Sequence, residues 1–223
     1  MTTLPALPAT VAETVLHVIR TRRSQPHVLP DREPPRAVID TLLEAATHAP
    51  NHYLTQPWRF FVLRGEARLR LGEVIMDEGL RRWPAPTPEA EAQRRKHVPL
   101  SFTRAPVVIV VAAVPGAHPH VPPWEDLAAT AAAMQSILIA AHAMGLAAYW
   151  RSNGTESQHA KRFLGLPPEA QLVGFIYVGY PDPQATLPEK PRRPHTEFVR
   201  WLGWDGDVES HGQTDGRPPD GRA

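Results

Sequence analysis

Between residues 127 and 144 the chain carries no formally charged side chain. Alanine supplies much of that run, and Thr130, Gln135, Ser136 and His142 interrupt it. Alanine is the best helix former, and Gly145 stands where a helix C-terminal cap belongs. A helix from about Trp124 to Met144 is therefore expected. Crossing a bilayer takes about 20 predominantly apolar residues, and this run is only weakly apolar. It reads instead as a helix buried at the centre of a fold or at an interface.

The other elements follow from periodicity and punctuation. Thr10 and Glu13 form a capping-box pattern, and Val11, Val15, Val18 and Ile19 give the helical stripe behind it. Pro34 and Pro35 suit the first turn of a second helix, with Val38, Leu42, Leu43, Ala45 and Ala46 as its buried face. Pro50 disfavours helical geometry at Ala49 and ends it. Residues 59–64 read as a strand closed by Gly65. A helix over 66–82 is expected with Leu69, Val74, Ile75 and Leu80 inward, followed by a proline- and charge-rich loop over 83–99 holding a helical piece. Residues 107–114 are continuously apolar, as in a strand covered on both faces. Short strands at 147–150 and 173–179 flank a helix at 156–164 that Gly165 ends. The sum is one α+β domain over 10–204, with a flexible tail at 1–9 and a disordered, glycine- and aspartate-rich tail at 205–223.

Composition removes several function classes. The 24 lysines and arginines nearly balance 23 aspartates and glutamates, which suggests no nucleic acid or other polyanion as partner. Without cysteine there are no disulfides, thiolate nucleophiles, iron–sulfur clusters or cysteine-ligated zinc. The first residues lack a basic stretch followed by an apolar one, so a soluble cytoplasmic protein without a membrane span is expected. No Gly-x-Ser-x-Gly elbow, phosphate-binding Gly-x-x-x-x-Gly-Lys loop or Gly-x-Gly-x-x-Gly turn is present. His48 and His52 lie four apart, but Pro50 spoils the helix that would make them one ligand face. His118 and His120 have no carboxylate in a known ligand spacing, so no metal is expected.

Three polar and aromatic groups remain, each at the end of an element. Arg22-Arg23-Ser24 offers charge-assisted donors for a phosphate monoester. The stretch 48–60 packs two prolines, two histidines, Asn51, Gln56 and Trp58 between a helix and a strand, a grip suited to a flat polar ring. Trp150-Arg151-Ser152 follows a strand. Each has a plainer reading alone: arginines suit helix C-termini, tryptophans are common in cores, and a histidine is often a cap. Together they could hold a phosphate, a polyol and a planar ring.

These pieces, with others, resemble the FMN-dependent nitroreductase family, in its small bacterial NAD(P)H nitroreductase, YdjA-like branch. The matching segments are Arg22-Arg23-Ser24; Ala49-Pro50-Asn51-His52 followed by Gln56-Pro57-Trp58-Arg59-Phe60-Phe61-Val62; Arg104-Ala105-Pro106; Val121-Pro122-Pro123-Trp124-Glu125; Trp150-Arg151-Ser152; and Val173-Gly174-Phe175-Ile176-Tyr177-Val178-Gly179. They run in family order over about residues 12–202. The resemblance implies a nitroreductase-like fold with a central mixed, mostly antiparallel sheet flanked by helices. It implies a helix-mediated homodimer with FMN at the interface and NAD(P)H as co-substrate. Arg22, Arg23, Ser24, Trp150, Arg151 and Ser152 would hold the flavin from one subunit, and His48 and His52 from the other. Where the branch has arginine this chain has His48, and where it has aspartate this chain has Asn51. The nicotinamide-contacting segment would fall near 140–145, and Ala133 and Ala140 would lie on the dimer face. The implied activity passes hydride through the flavin to a small acceptor such as a nitroaromatic or quinone, in ping-pong order. No dedicated catalytic acid or base is implied. The competing readings are a flavin carrier or sensor without turnover, and an all-histidine metal protein.

Overall fold

A computed structural model describes residues 8–204. The elements in order are α1 (Ala9–Thr21), α2 (Arg36–Thr47), β1 (Trp58–Arg64), α3 (Glu66–Arg82), α4 (Pro88–Ser101), β2 (Val107–Ala113), α5 (Pro123–Ala143), β3 (Ala147–Arg151), α6 (Gln158–Phe163) and β4 (Gln171–Gly179). The four strands form one sheet in the order β1-β2-β4-β3, and every pairing is antiparallel. The structure divides between Thr186 and Leu187 into two units, although composition shows no break there. The second unit contributes a short 3-10 turn, His195–Glu197. Of the expected tails, 205–223 and 1–7 lie outside the described residues, while Pro8 and Ala9 already open α1.

β2 is buried at all seven positions because both faces of the sheet are covered. Side chains alternate along a strand, and the alternation sorts the core in two. Val107, Ile109 and Val111 pack with α2 and α5, through Ile39, Leu42, Met134 and Ile137. Val108, Val110 and Ala112 pack on the opposite side with Leu71 of α3, Phe102 and the aromatic pair Phe175 and Tyr177. The run that opened the sequence is thus a core helix: Ala129, Ala133, Met134, Ile137 and Ala141 are buried against the sheet and α2. Ala133 is 0% exposed, so it belongs to the core of the single chain and not to an outward face. The outward face is carried by Trp124, Ala128 and Gln135.

Several local expectations are corrected. Thr10 does not cap α1. The helix starts one residue earlier, at Ala9, and Thr10 lies inside it, where its carbonyl accepts from the Thr14 hydroxyl at 2.8 Å. The stripe behind it is real but uncovered: no residue of α1 is buried, and Val15 is 50% exposed. In α3 the buried positions are Leu71, Gly72 and Met76, while Leu69, Val74, Ile75 and Leu80 are half-buried. The stretch expected as a loop over 83–99 is mostly α4. Thr87 caps it by accepting from Ala90 N–H, Pro88 occupies the first turn where a missing N–H costs nothing, and Pro99 falls in the last turn.

α3 and α4 meet at Gly72, where an added Cβ would stand 2.6 Å from Pro99 Cα. Gly79, two turns on, has nothing within 4 Å of such an atom. The two glycines should therefore respond oppositely. Gly72→Ala is expected to lower stability by about 1–3 kcal/mol through overpacking. Gly79→Ala should raise it by about 0.5–1 kcal/mol, since only helix propensity changes. Urea midpoints of the two variants check this, and the reverse order would contradict the packing described.

Candidate functional site

The stretch after α1 is carried to the outer edge of the sheet. Arg22 N–H closes the helix on the Val18 carbonyl at 2.9 Å, and Gln25 N–H donates to the Ala148 carbonyl of β3 at 3.2 Å. Leu29 N–H then bonds the Tyr180 carbonyl just beyond β4, and Val28 bridges Pro181. Arg22, Arg23 and Ser24 are thereby set beside β3, with both arginines half-buried and Ser24 exposed. α1 is also tied to the C-terminal end of α5, where Thr21 Oγ1 and His142 Nε2 lie 2.9 Å apart. Burial first, then the charge of Arg22 and of His17, lower the His142 pKa below its ordinary 6.5.

Trp150 and Arg151, neighbours in β3, point to opposite sides. Trp150 lies across Gly174 of β4, where a Cβ would stand only 2.0 Å from the indole nitrogen. Its indole N–H donates to the Val173 carbonyl at 3.3 Å. Val173 sits at the β-bulge between the Val111 and Ala112 pairings, and a bulge of this kind re-aims a strand locally. Arg151 instead reaches the α3 side, donating to Tyr177 Oη at 3.5 Å with its guanidinium 5.6 Å from that ring's centre. Its backbone lies with Trp150 and Ser152, but its charge does not. Ser152 is exposed and opens a turn in which its carbonyl accepts from Thr155 N–H and Thr155 Oγ1.

The loop between α2 and β1 is built at the other end of α5. His48 caps α2 and is exposed. Asn51 braces the loop by accepting from Gln56 N–H at 2.9 Å and donating to the Ala49 carbonyl at 3.1 Å. Tyr53, Leu54 and Gln56 all have positive φ, at 52°, 51° and 43°. For residues with a Cβ that conformation costs of order 1–3 kcal/mol each, and it persists only where surrounding contacts hold it. The contacts are visible. Thr55 Oγ1 donates to Asp126 Oδ1 at 2.8 Å, and the other Asp126 oxygen accepts from Gly116 N–H at 3.3 Å. His52 Nδ1 lies 2.7 Å from Glu125 Oε2, and the Tyr53 ring stacks on His118 at 4.0 Å. Glu125 and Asp126 were not singled out in the sequence as partners of this loop; the signal was two acids in the first turn of a helix, where they suit the dipole. Pro50, Asn51 and His52 border an open depression of about 410 Å³ whose other wall is Trp124, Ala128 and Ala132 of α5.

The structure thus joins two of the three expected pieces and separates the third. Arg22, Arg23 and Ser24 are set along the β3 edge that carries Trp150 and Ser152, with Thr21 tying the stretch to His142 at the end of α5 and Trp150 lying further back, beside Met134. His52 is fixed at the Glu125 end. At a helical rise of roughly 1.5 Å per residue the two ends are about 25 Å apart, too far for side chains of one chain to meet on one planar ring. Among the described residues no group of three or more histidines, aspartates or glutamates is arranged to hold a metal, and no helix is long and apolar enough to cross a membrane.

Residues 19–180 match the model of the Nitroreductase family, well over half of the chain. YdjA of Escherichia coli (strain K12), named for NAD(P)H nitroreduction, is 31% identical over 188 residues, which span 84% of this chain and 98% of that protein. The crystal structure of a nitroreductase-like family protein from Bacillus cereus superposes with a TM-score of 0.71 at 29% identity, covering 92% of this chain and 100% of the other. A Desulfovibrio desulfuricans structure described as a nitroreductase in complex with FMN gives 0.63 at 26% identity, over 85% and 97%. The fold and the collinear motifs define an α+β protein of the nitroreductase kind. The chain belongs to the Nitroreductase family.

His142 supplies a test of the Arg22 corner. Its ring is harder to protonate in the fold than in the unfolded chain, so protonation favours unfolding. Stability should be level above about pH 6.5 and fall as pH drops below that value. In His142→Gln this part of the fall should be smaller between pH 7 and 5, read as denaturant midpoints against the wild type. Equal slopes would contradict the described surroundings of the ring.

Proposed function

We propose that the chain is an FMN-dependent oxidoreductase that takes reducing equivalents from NAD(P)H and passes them to a small acceptor such as a nitroaromatic or a quinone, the two substrates occupying one open face in turn. FMN supplies the hydride-transfer chemistry when bound. The chain supplies the donors and the shape. Two half-buried guanidinium groups and the Ser24 hydroxyl at one edge match a phosphate monoester. Trp150, lying over Gly174, gives an aromatic side chain on the same strand edge. The backbone at Arg151 and the exposed Ser152 complete that side, while the Arg151 guanidinium faces elsewhere. No side chain is assigned as a catalytic acid or base, and the nicotinamide is expected against 140–145.

The observation that carries this reading is the separation along α5. A second copy related by a two-fold axis, with its α5 antiparallel to the first, sets the partner's N-terminal end beside the first chain's C-terminal end. His52, with His48 nearby, then reaches the site that Arg22, Arg23, Ser24 and Trp150 begin. The same association covers the outward face of α5 and the bare stripe of α1, and a 13-residue helix with no buried residue needs such cover. His48, exposed and at the edge of the same loop, takes the place of the branch's arginine as a contact of weaker charge. A cytoplasmic setting suits a user of NAD(P)H.

A flavin carrier or sensor would share the pocket but not the turnover. Adding NADH or NADPH to the yellow protein without oxygen should bleach the oxidised-flavin band, and a nitroaromatic should restore it. Arg22→Ala with Ser24→Ala should release FMN from a protein that stays folded and dimeric. A band that neither nicotinamide bleaches would overturn the reductase reading. Stoichiometric flavin in the double variant would overturn the phosphate assignment.

A further inference from the structure

The side of the sheet away from α5 holds a cavity of about 380 Å³ between α3, α4 and the turns that follow β3. That is within the roughly 300–1,000 Å³ of small-molecule sites. Ile75, Met76, Val98 and Phe102 make its walls apolar. Three guanidinium groups, those of Arg82, Arg94 and Arg151, also line it. None of the three is in an ion pair among the described residues. Arg94 donates to the Trp83 carbonyl at 2.8 Å, Arg82 lies over the Trp83 ring, and Arg151 leans on Tyr177. Arg95, next in the chain and outside the cavity, is by contrast held by both Asp77 and Glu91.

Two carboxylates share the wall, and neither neutralises these cations. Glu78 is committed to the first turn of α6, accepting from the Ser157 hydroxyl, from Gln158 N–H at 3.1 Å and from His159 N–H at 2.8 Å. Glu156 is exposed at the rim. Gly79 adds an independent observation. A glycine inside a helix costs about 1 kcal/mol relative to alanine, yet no neighbour occupies the space where its Cβ would be. It lines the cavity and leaves that part of the wall bare.

We propose that this cavity binds a small amphipathic carboxylate, an aliphatic or aromatic acid. The apolar body lies between Met76 and Phe102, and the carboxylate is taken by the Arg94 guanidinium with Arg82 or Arg151, a geometry that planar guanidinium forks favour. A phosphate dianion fits less well, because apolar walls would strip more hydration from it than three rim donors return. The site is separate from the flavin position under the proposed function: Trp150 lies on the α5 side of β3 and the cavity on the other. Arg151 touches both, with its backbone at one and its charge at the other.

Calorimetric titration of the flavin-loaded protein with octanoate, octanamide and inorganic phosphate tests this. Octanoate should saturate at one per chain, octanamide should bind about tenfold or more weakly because it lacks the charge-assisted bonds, and phosphate should give no saturable heat. Gly79→Leu, which fills the mouth from a helix position, should abolish octanoate binding while flavin content and thermal midpoint are retained. Arg94→Gln should weaken octanoate by about tenfold and leave octanamide unchanged. Absence of saturable octanoate binding, equal affinity for octanoate and octanamide, or unchanged binding in Gly79→Leu would each overturn the proposal. The comparison of octanoate with octanamide uses only the wild-type chain, so it stands even if a variant fails to fold.

Discussion

The length of α5 governs the rest of the structure. Its 21 residues span about 30 Å, and each end anchors a different polar cluster. At the N-terminal end Asp126, 1% exposed, is satisfied by Thr55 and Gly116 and so pins two loops to one helix turn. At the C-terminal end His142 meets Thr21 and feels the charge of Arg22. Between them lies a surface of alanine, methionine and isoleucine with no charge to desolvate, which lets sheet and α2 close on one side and leaves a second apolar face on the other. A single chain therefore carries two polar clusters held apart by one helix.

The parts legible in the sequence were those whose cause is local. The unbroken apolar run of β2, the glycines at 145 and 165 and the stop at Pro50 all act within a few residues, and each fell where expected. Gly145 and Gly165 have φ of +73° and +67°, which is why glycine stands at those helix ends. α4 was legible only as a helical piece within a loop, because Pro88 and Pro99 read as breakers although the first suits a helix start, and its outward charges hide any stripe. Leu71 and Met76 were missed in α3 because the face a helix buries is set by its partner, and α4 crosses at Gly72. The Thr10 cap failed for a similar reason: Pro8 already supplied the helix start.

The candidate site was legible as chemistry and not as geometry. Arg22-Arg23-Ser24 is set beside β3, the strand of Trp150, through a backbone bond from Gln25 to Ala148 that no spacing rule announces. The contact between His52 and Glu125 joins residues 73 apart in sequence, and the three positive-φ residues of that loop are not glycines, so nothing in their identity signals the turn. Trp150, Arg151 and Ser152 were expected to act together, but β3 continues through Arg151, so strand alternation turns its guanidinium to the side opposite Trp150. That alternation is what leaves β3 bordering two different spaces, an aromatic wall on the α5 side and a cation on the α3 side.

Under the proposed function, one flavin site needs two chains. Sedimentation velocity of the yellow protein over a dilution series, followed at the flavin absorption band, tests it directly. Flavin should sediment only with the dimer, and dilution that produces monomer should release free flavin in step. Flavin sedimenting one-to-one with the monomer would contradict it.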